Sequence, residues 1–179
     1  MLPPSFSELK SSMRTAKARK KASVPTRLLY EKGLLYGKVL DYGCGRGRDV
    51  EWLLKNGINV VGYDPNFYPY KEILIDSYYD IVLCHYVLNT VLEKTRHKIL
   101  VDIRRILKRG GKLFLSVRSI KEKINGVPFC DGVITSRGTF QKRFEKSEIV
   151  RLLEMYFTTY KVLEIRGGLL VFCKNDILS

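Results

Sequence analysis

Hydrophobic positions change period several times along the chain, and each change marks an element. Val39 and Leu40 follow Gly37 and run into a glycine cluster, which predicts a short buried strand over 38–41 opening into a loop. Val50, Leu53 and Leu54 recur at helical spacing within 48–56, and Gly57 supplies the stop. Apolar runs predict strands at 58–63 and 79–84, with a short third strand between them at 72–75. Over 94–108, Ile99, Leu100, Ile103, Ile106 and Leu107 share one helical face, ended by Gly110 and Gly111 before a strand at 112–117. A last helix is predicted at 145–156. Two β-rich runs at 161–165 and 169–173 then flank Arg166, Gly167 and Gly168, a hairpin signal. Strands alternating with helices and closing on a hairpin predict a single-domain, doubly wound α/β sheet. It is mostly parallel, seven-stranded or a reduced form of that, with an antiparallel C-terminal hairpin. Such sheets bind ligands beyond the carboxyl ends of their strands.

Charge changes this picture more than composition does. The 179 residues are 45% hydrophobic and 28% charged, enough for one sizeable core and too apolar for disorder throughout. The formal net charge is +14. It is unevenly placed: residues 1–38 carry nine bases and two acids, 39–93 four bases and eight acids, and 94–124 eleven bases and two acids. Positive blocks flanking an acidic stretch point to an anionic partner, nucleic acid or membrane, bound in a salt-dependent way. The first block holds Arg14, Lys17, Arg19, Lys20, Lys21 and Arg27, is closed by Pro25 and has no strong apolar stripe. Residues 1–32 are therefore read as a basic arm or lid, either a solvated tail or a segment that grips phosphates, ahead of a domain at 33–179. Cys44, Cys84, Cys130 and Cys173 are at least 40 residues apart with no ligand spacing, which argues against a disulfide framework and against a metal site. No signal-peptide core or bilayer-length apolar run is present, so the expectation is a cytoplasmic protein that does not enter membrane.

The segment from Asp41 to Gly47 joins the first strand to the first helix. Its glycines permit a sharp turn and let a ligand touch backbone N–H groups at the helix start, although a tight turn alone would also use them. A dinucleotide site would need G-x-G-x-x-G, but the sixth position is Arg48 and the third glycine comes early, at Gly47. That weakens the pyrophosphate reading. Asp41, two residues before the first glycine, suits a ligand with positive charge. Asp64 ends the second strand 21 positions after Gly43, where an acid accepts hydrogen bonds from ribose hydroxyls. Ribose, ammonium and no phosphate together fit S-adenosylmethionine (SAM).

The runs VLDYGCGRG at 39–47, VVGYDPN at 60–66, YDIVLCHYVLNTV at 79–91 and ILKRGGKLFLSV at 106–117 then resemble, in order, the class I SAM-dependent methyltransferases. More narrowly, KARKKASVPTRLL at 17–29, YDPNF at 63–67 and RGTFQ at 137–141 resemble a bacterial and phage methyltransferase-like group associated with DNA phosphorothioation. The resemblance implies a Rossmann-like enzyme with SAM as cofactor. It places Asp41 near the SAM amino group, Gly43, Cys44, Gly45 and Gly47 under the methionine portion, Asp64 on the ribose, and Pro65 and Asn66 beside the adenine. His85 and Tyr86 come to the sulfonium side, with Asn89 starting the next turn. One departure is plain: fifteen residues between Asp64 and Asp80 are too few for the usual helix, third strand and adenine-reading acid, leaving Asp76 as the candidate for the last role.

The acceptor is approached by exclusion. A cytosine-C5 enzyme needs a nucleophilic Cys beside Pro after the fourth strand, and an amino-methylating DNA enzyme an Asn/Asp-Pro-Pro-aromatic run; the chain has Cys84-His85-Tyr86-Val87. His85 is the candidate general base, since imidazole titrates near neutrality, with packing against the cofactor as the alternative. Tyr86 is read as shaping the pocket. Arg118, Gln141 and Arg143 fall where substrate-facing loops are expected and could clamp a phosphate or carboxylate; Arg14, Lys17 and Arg19 join them from the arm. Tyr68, Tyr70, Tyr78 and Tyr79 cluster where a base could stack or where rings merely pack. The leading expectation is a methyltransferase acting on RNA or DNA. The rivals are one acting on a small acidic metabolite or protein, and a non-catalytic nucleic-acid-binding module.

Overall fold

A computed structural model describes residues 7–16 and 18–176. Two short helices come first, α1 (Glu8–Thr15) and α2 (Val24–Glu31). They are followed by β1 (Val39–Tyr42), α3 (Arg48–Lys55), β2 (Val60–Tyr63), β3 (Tyr79–His85), α4 (Glu93–Ile106) and β4 (Leu107–Val117). The chain then forms β5 (Val127–Phe129), β6 (Gly132–Ile134), β7 (Phe140–Gln141), α5 (Lys146–Glu154), β8 (Thr158–Ile165) and β9 (Gly168–Lys174).

Six strands make the main sheet in the order β2-β1-β3-β4-β9-β8. β2, β1, β3 and β4 are parallel neighbours, and β9 enters antiparallel between β4 and β8. This is the doubly wound, Rossmann-like fold with a C-terminal hairpin, in reduced form. Period-two alternation divides the core between its faces. Leu40, Val82, Cys84, Leu113 and Leu115 pack with Ile99, Leu100 and Ile103 of α4 and with Ile149 and Leu153 of α5. Val39, Ile81, Leu83 and Phe114 pack on the other face with Leu29 of α2 and Leu53 of α3.

Three expectations need correction. The strand predicted at 72–75 is a 3₁₀ turn, Lys71–Ile73. Its polar backbone groups are met locally: Leu74 N–H reaches Lys71 C=O, Ile73 C=O accepts from the Tyr79 hydroxyl and Leu74 C=O from Arg105. No sheet neighbour is then required, and β2 stays at the edge. The helix predicted to reach 108 ends at Ile106, and Gly110 and Gly111 lie inside β4. Tyr79 pairs with Leu107 but Ile81 with Lys112, so β4 carries surplus residues there, and Gly110 turns them at φ +78°. Asn175 stabilises this early stop by sharing its two amide hydrogens among the Arg104, Leu107 and Lys108 carbonyls at 3.0–3.2 Å.

The third correction concerns the basic segment, read as lacking an apolar stripe. α2 buries Leu29 completely. Ser23 caps it, and Pro25 stands in its first turn, so Pro25 opens a helix rather than closing a block. A separate three-stranded sheet, β5-β6-β7, was not anticipated.

Candidate functional site

β1, β2, β3 and β4 run parallel, so the loops after them gather at one end of the sheet. α1 and the β5–β7 sheet lie over that end, beside a half-open cavity of about 1120 Å³. The cover is tied on several sides. The Glu8 carboxylate accepts from Leu92 N–H at 2.6 Å and from the Thr95 hydroxyl at 3.1 Å. Ser11 Oγ accepts from Phe140 N–H, Asn66 Nδ2 donates to Ser12 Oγ, and Arg46 Nε donates to Ala16 C=O.

The glycine loop shapes one wall. Gly43 has φ +79°, and a Cβ there would lie 2.3 Å from Val87 Cγ2, so only glycine lets the β1 and β3 loops approach. Gly45 N–H donates to Asp64 Oδ2 at 2.9 Å, while Asp64 Oδ1 accepts from Asn66 and Phe67 N–H at 2.9 and 3.2 Å. Three of the carboxylate's four lone-pair sites are thereby used, leaving one for a ligand hydroxyl. Gly43, Cys44, Gly45, Asp64, Pro65 and Asn66 all line the cavity.

Asp41 and Gly47 do not. Gly47 holds a left-handed conformation at the start of α3, against the Tyr68 hydroxyl. Asp41 is buried beneath the loop. Burial, then the neighbouring Asp49 and Asp64, push its carboxyl well above the usual range, opposed by Arg19.

Asp49 is equally buried but is held ionised. Burial would raise its pKa, yet Arg19 at 3.2 Å and the Ser23 N–H at 2.8 Å prevail and lower it. Asp49 also accepts from Thr26 Oγ1. This single acid fastens the arm to α3, and no motif in the sequence marks it.

His85 ends β3 and lines the cavity, with Nδ1 3.1 Å from Ser116 Oγ and Nε2 buried and unbonded. Burial holds its pKa down to about 4; Asp49 opposes the shift and Arg19 adds to it. At neutral pH the ring is uncharged and a weak base, which corrects the reading of His85 as a base poised near neutrality. Tyr86 also lines the cavity, at φ +59°, a conformation rare for an aromatic residue. Burial raises its phenol pKa, opposed by Arg118, whose guanidinium lies 5.9 Å from the ring centre. The Cys84 thiol is fully buried and burial pushes its pKa up, so it is no nucleophile.

Among the expected acceptor residues, Arg14, Arg19, Arg118 and Gln141 line the cavity. Arg19 and Arg118 are paired, with Asp49 and with Glu122 at 3.5 Å. Arg143 does not reach the cavity; it donates to the Ile120 and Glu122 carbonyls and holds their loop. Lys17 lies outside the described residues. Asp76 pairs with Arg105 away from the site. Tyr68, Tyr70, Tyr78 and Tyr79 do not line the cavity either, whereas Tyr42 and Tyr63 do. Sequence reasoning also missed Lys98, Lys123 and Arg137 on the wall, which close on it only through the fold. Among the described residues no cluster of three or more His, Cys, Asp or Glu could hold a metal ion.

A family model described as a methyltransferase domain matches residues 12–158. No curated protein sequence matches the chain. Among solved structures, 1,6-didemethyltoxoflavin-N1-methyltransferase of Burkholderia thailandensis, bound to 1,6-didemethyltoxoflavin and S-adenosylhomocysteine, superposes with a TM-score of 0.66 at 19% identity, covering 92% of this chain and 78% of that one. A protein from Pyrococcus horikoshii gives 0.68 at 18% identity, with coverage of 94% and 99%. A SAM-dependent methyltransferase from Aquifex aeolicus gives 0.58 at 20% identity, with coverage of 94% and 98%.

Proposed function

This chain belongs to the family of methyltransferase domains, and from that membership we propose that it methylates an anionic acceptor, a nucleic acid in first place, presented to the roofed cavity. The enzyme is a SAM-dependent methyltransferase. The cavity suits that cofactor: Gly43 lets the β1 loop close on Val87 at its wall, and Asp64 retains one acceptor site. Bound there, SAM supplies an electrophilic methyl carbon that an acceptor lone pair takes by in-line displacement from sulfur.

The chain's own contribution is positioning and exclusion of water. In this reading Gly43, Cys44 and Gly45 lie under the methionine portion, Asp64 holds a ribose hydroxyl, and Pro65 and Asn66 flank the adenine. Asp41 and Gly47 act one step back, as a buried carboxyl pushed toward its protonated form and a loop hinge. His85 and Tyr86 wall the reacting centre as neutral groups, so the acceptor must offer its lone pair without a strong base. Of the segment read as a basic arm over 1–32, α1 serves as the lid, while α2 packs into the core of the domain.

The observation that carries the acceptor class is charge. Eight Arg or Lys residues line the cavity against three carboxylates, and among the described residues Arg14, Lys98, Lys123 and Arg137 have no carboxylate partner within 4.0 Å. Such a rim favours phosphate. The narrower likeness to proteins associated with DNA phosphorothioation keeps DNA beside RNA among the acceptors. A small acidic acceptor is the second reading, favoured by the fastened roof. Incubation with methyl-tritiated SAM, mixed RNA and DNA pools and a small-molecule extract tests both. Label in the nucleic acid is the expected result; label only in the small-molecule fraction, with no nucleic-acid binding even at low salt, would replace the first reading by the second.

A further inference from the structure

Asn89 and Gln141, 52 positions apart, meet in the cavity wall, where Asn89 Nδ2 donates to Gln141 Oε1 at 3.1 Å. Asn89 is only 1% exposed, yet its Oδ1 is buried and accepts nothing. Two amides joined by one hydrogen bond leave one C=O and one NH₂ for a third group, whichever way each amide is turned. A buried acceptor without a donor is unfavourable, so a ligand that supplies the donor is selected strongly.

The pair is rigidly built. The Lys142 N–H donates to the Asn89 carbonyl at 2.8 Å, and the buried Lys142 ammonium lies 3.3 Å from Asp131 and 2.7 Å from Glu148. Arg96, 3% exposed, donates to the Leu88 carbonyl at 3.1 Å and grips Asp131 with both terminal nitrogens. Two buried cations, paired with carboxylates that reach the surface, thus fix the residues on either side of two neutral amides.

We propose that Asn89 and Gln141 form the acceptor-reading subsite and take a planar group presenting a hydrogen-bond donor beside an acceptor. A nucleobase edge has that pattern; a carboxylate or phosphate, offering acceptors only, does not. Gln141 is then a base reader, and the phosphate falls to the arginines of the rim. This deepens the functional reading above and rests on its placement of the acceptor in this cavity. The base could come from a free nucleotide or from a single strand.

Calorimetric titration separates these sources. The probes are uridine and adenosine monophosphates, ribose 5-phosphate, a short single-stranded oligonucleotide and an abasic one of equal length, each with and without S-adenosylhomocysteine. Base-bearing probes are expected to bind about ten-fold or more tighter than their base-free counterparts. Asn89→Ala and Gln141→Ala should each remove that ratio while S-adenosylhomocysteine affinity stays unchanged; Gln141 is the less buried, so its variant serves if Asn89→Ala does not fold. Equal binding of base-bearing and base-free probes, a ratio that survives Gln141→Ala, or no binding of any nucleotide or oligonucleotide would overturn the proposal. Failure of the wild-type protein to bind S-adenosylhomocysteine would instead count against the cofactor assignment, and the ratio measured without it is still read.

Discussion

His85 shows how far a side chain can depart from its ordinary chemistry when a strand end buries it. The chain has two histidines, so their ring protons can be followed separately by NMR. One is expected to titrate near pH 4, and His85→Asn should remove that signal. The sign for stability follows from the depressed native pKa. Between about pH 6.5 and 4 the unfolded chain takes up the proton and the native state does not, so His85's contribution is present above that window and falls as pH falls through it. Asp49, whose native pKa is also lowered, loses its contribution on further acidification. Gly43 makes a second prediction at this scale. Alanine there meets both a positive φ and a stiff Val87 methyl at 2.3 Å. A loss of about 2 kcal/mol or more is expected by urea unfolding, with at least ten-fold weaker S-adenosylhomocysteine binding by calorimetry.

Helix ends carry the lesson at the scale of elements. Leu92 stands at the N-cap of α4 without a capping side chain, and Glu8 supplies the carboxylate from 84 positions away. A negative group there also meets the helix dipole favourably. Glu8→Ala should therefore free α1 while leaving the sheet folded. Stopped-flow exchange would show faster release of S-adenosylhomocysteine, and limited proteolysis faster cleavage before residue 23. At the other end of α4, Asn175→Ala removes the two amide hydrogens that three carbonyls share. About 1–2 kcal/mol of stability should be lost in denaturant titration, with cofactor affinity unaffected. The remote partners of both ends, Glu8 and Asn175, are why a sequence reading placed the α4 boundaries loosely.

Across the whole molecule, a net charge of +14 gains meaning from where the chain folds it. Arg14 and Arg19 from the first block and Lys98, Arg118 and Lys123 from the second reach one cavity. Many others are taken up by carboxylates, as Lys108 is by Asp80 and Lys121 by Glu164. Affinity for single-stranded nucleic acid should then fall with salt at a slope reporting about four contacts or fewer, far below the formal charge. A steeper slope would mean that the outer faces bind as well. The sequence by itself determined the sheet, its hairpin, the glycine loop and Asp64, because each rests on local periodicity or on spacing within one strand–loop–helix unit. Only the tertiary structure decided that the basic segment splits into a fastened cover, α1, and a core helix, α2, that Asp41 lies beneath the site and Arg143 outside it, that His85 is neutral, and that Asn89 meets Gln141. Those facts depend on burial and on partners 21 to 129 positions apart, and neither is encoded in any local pattern.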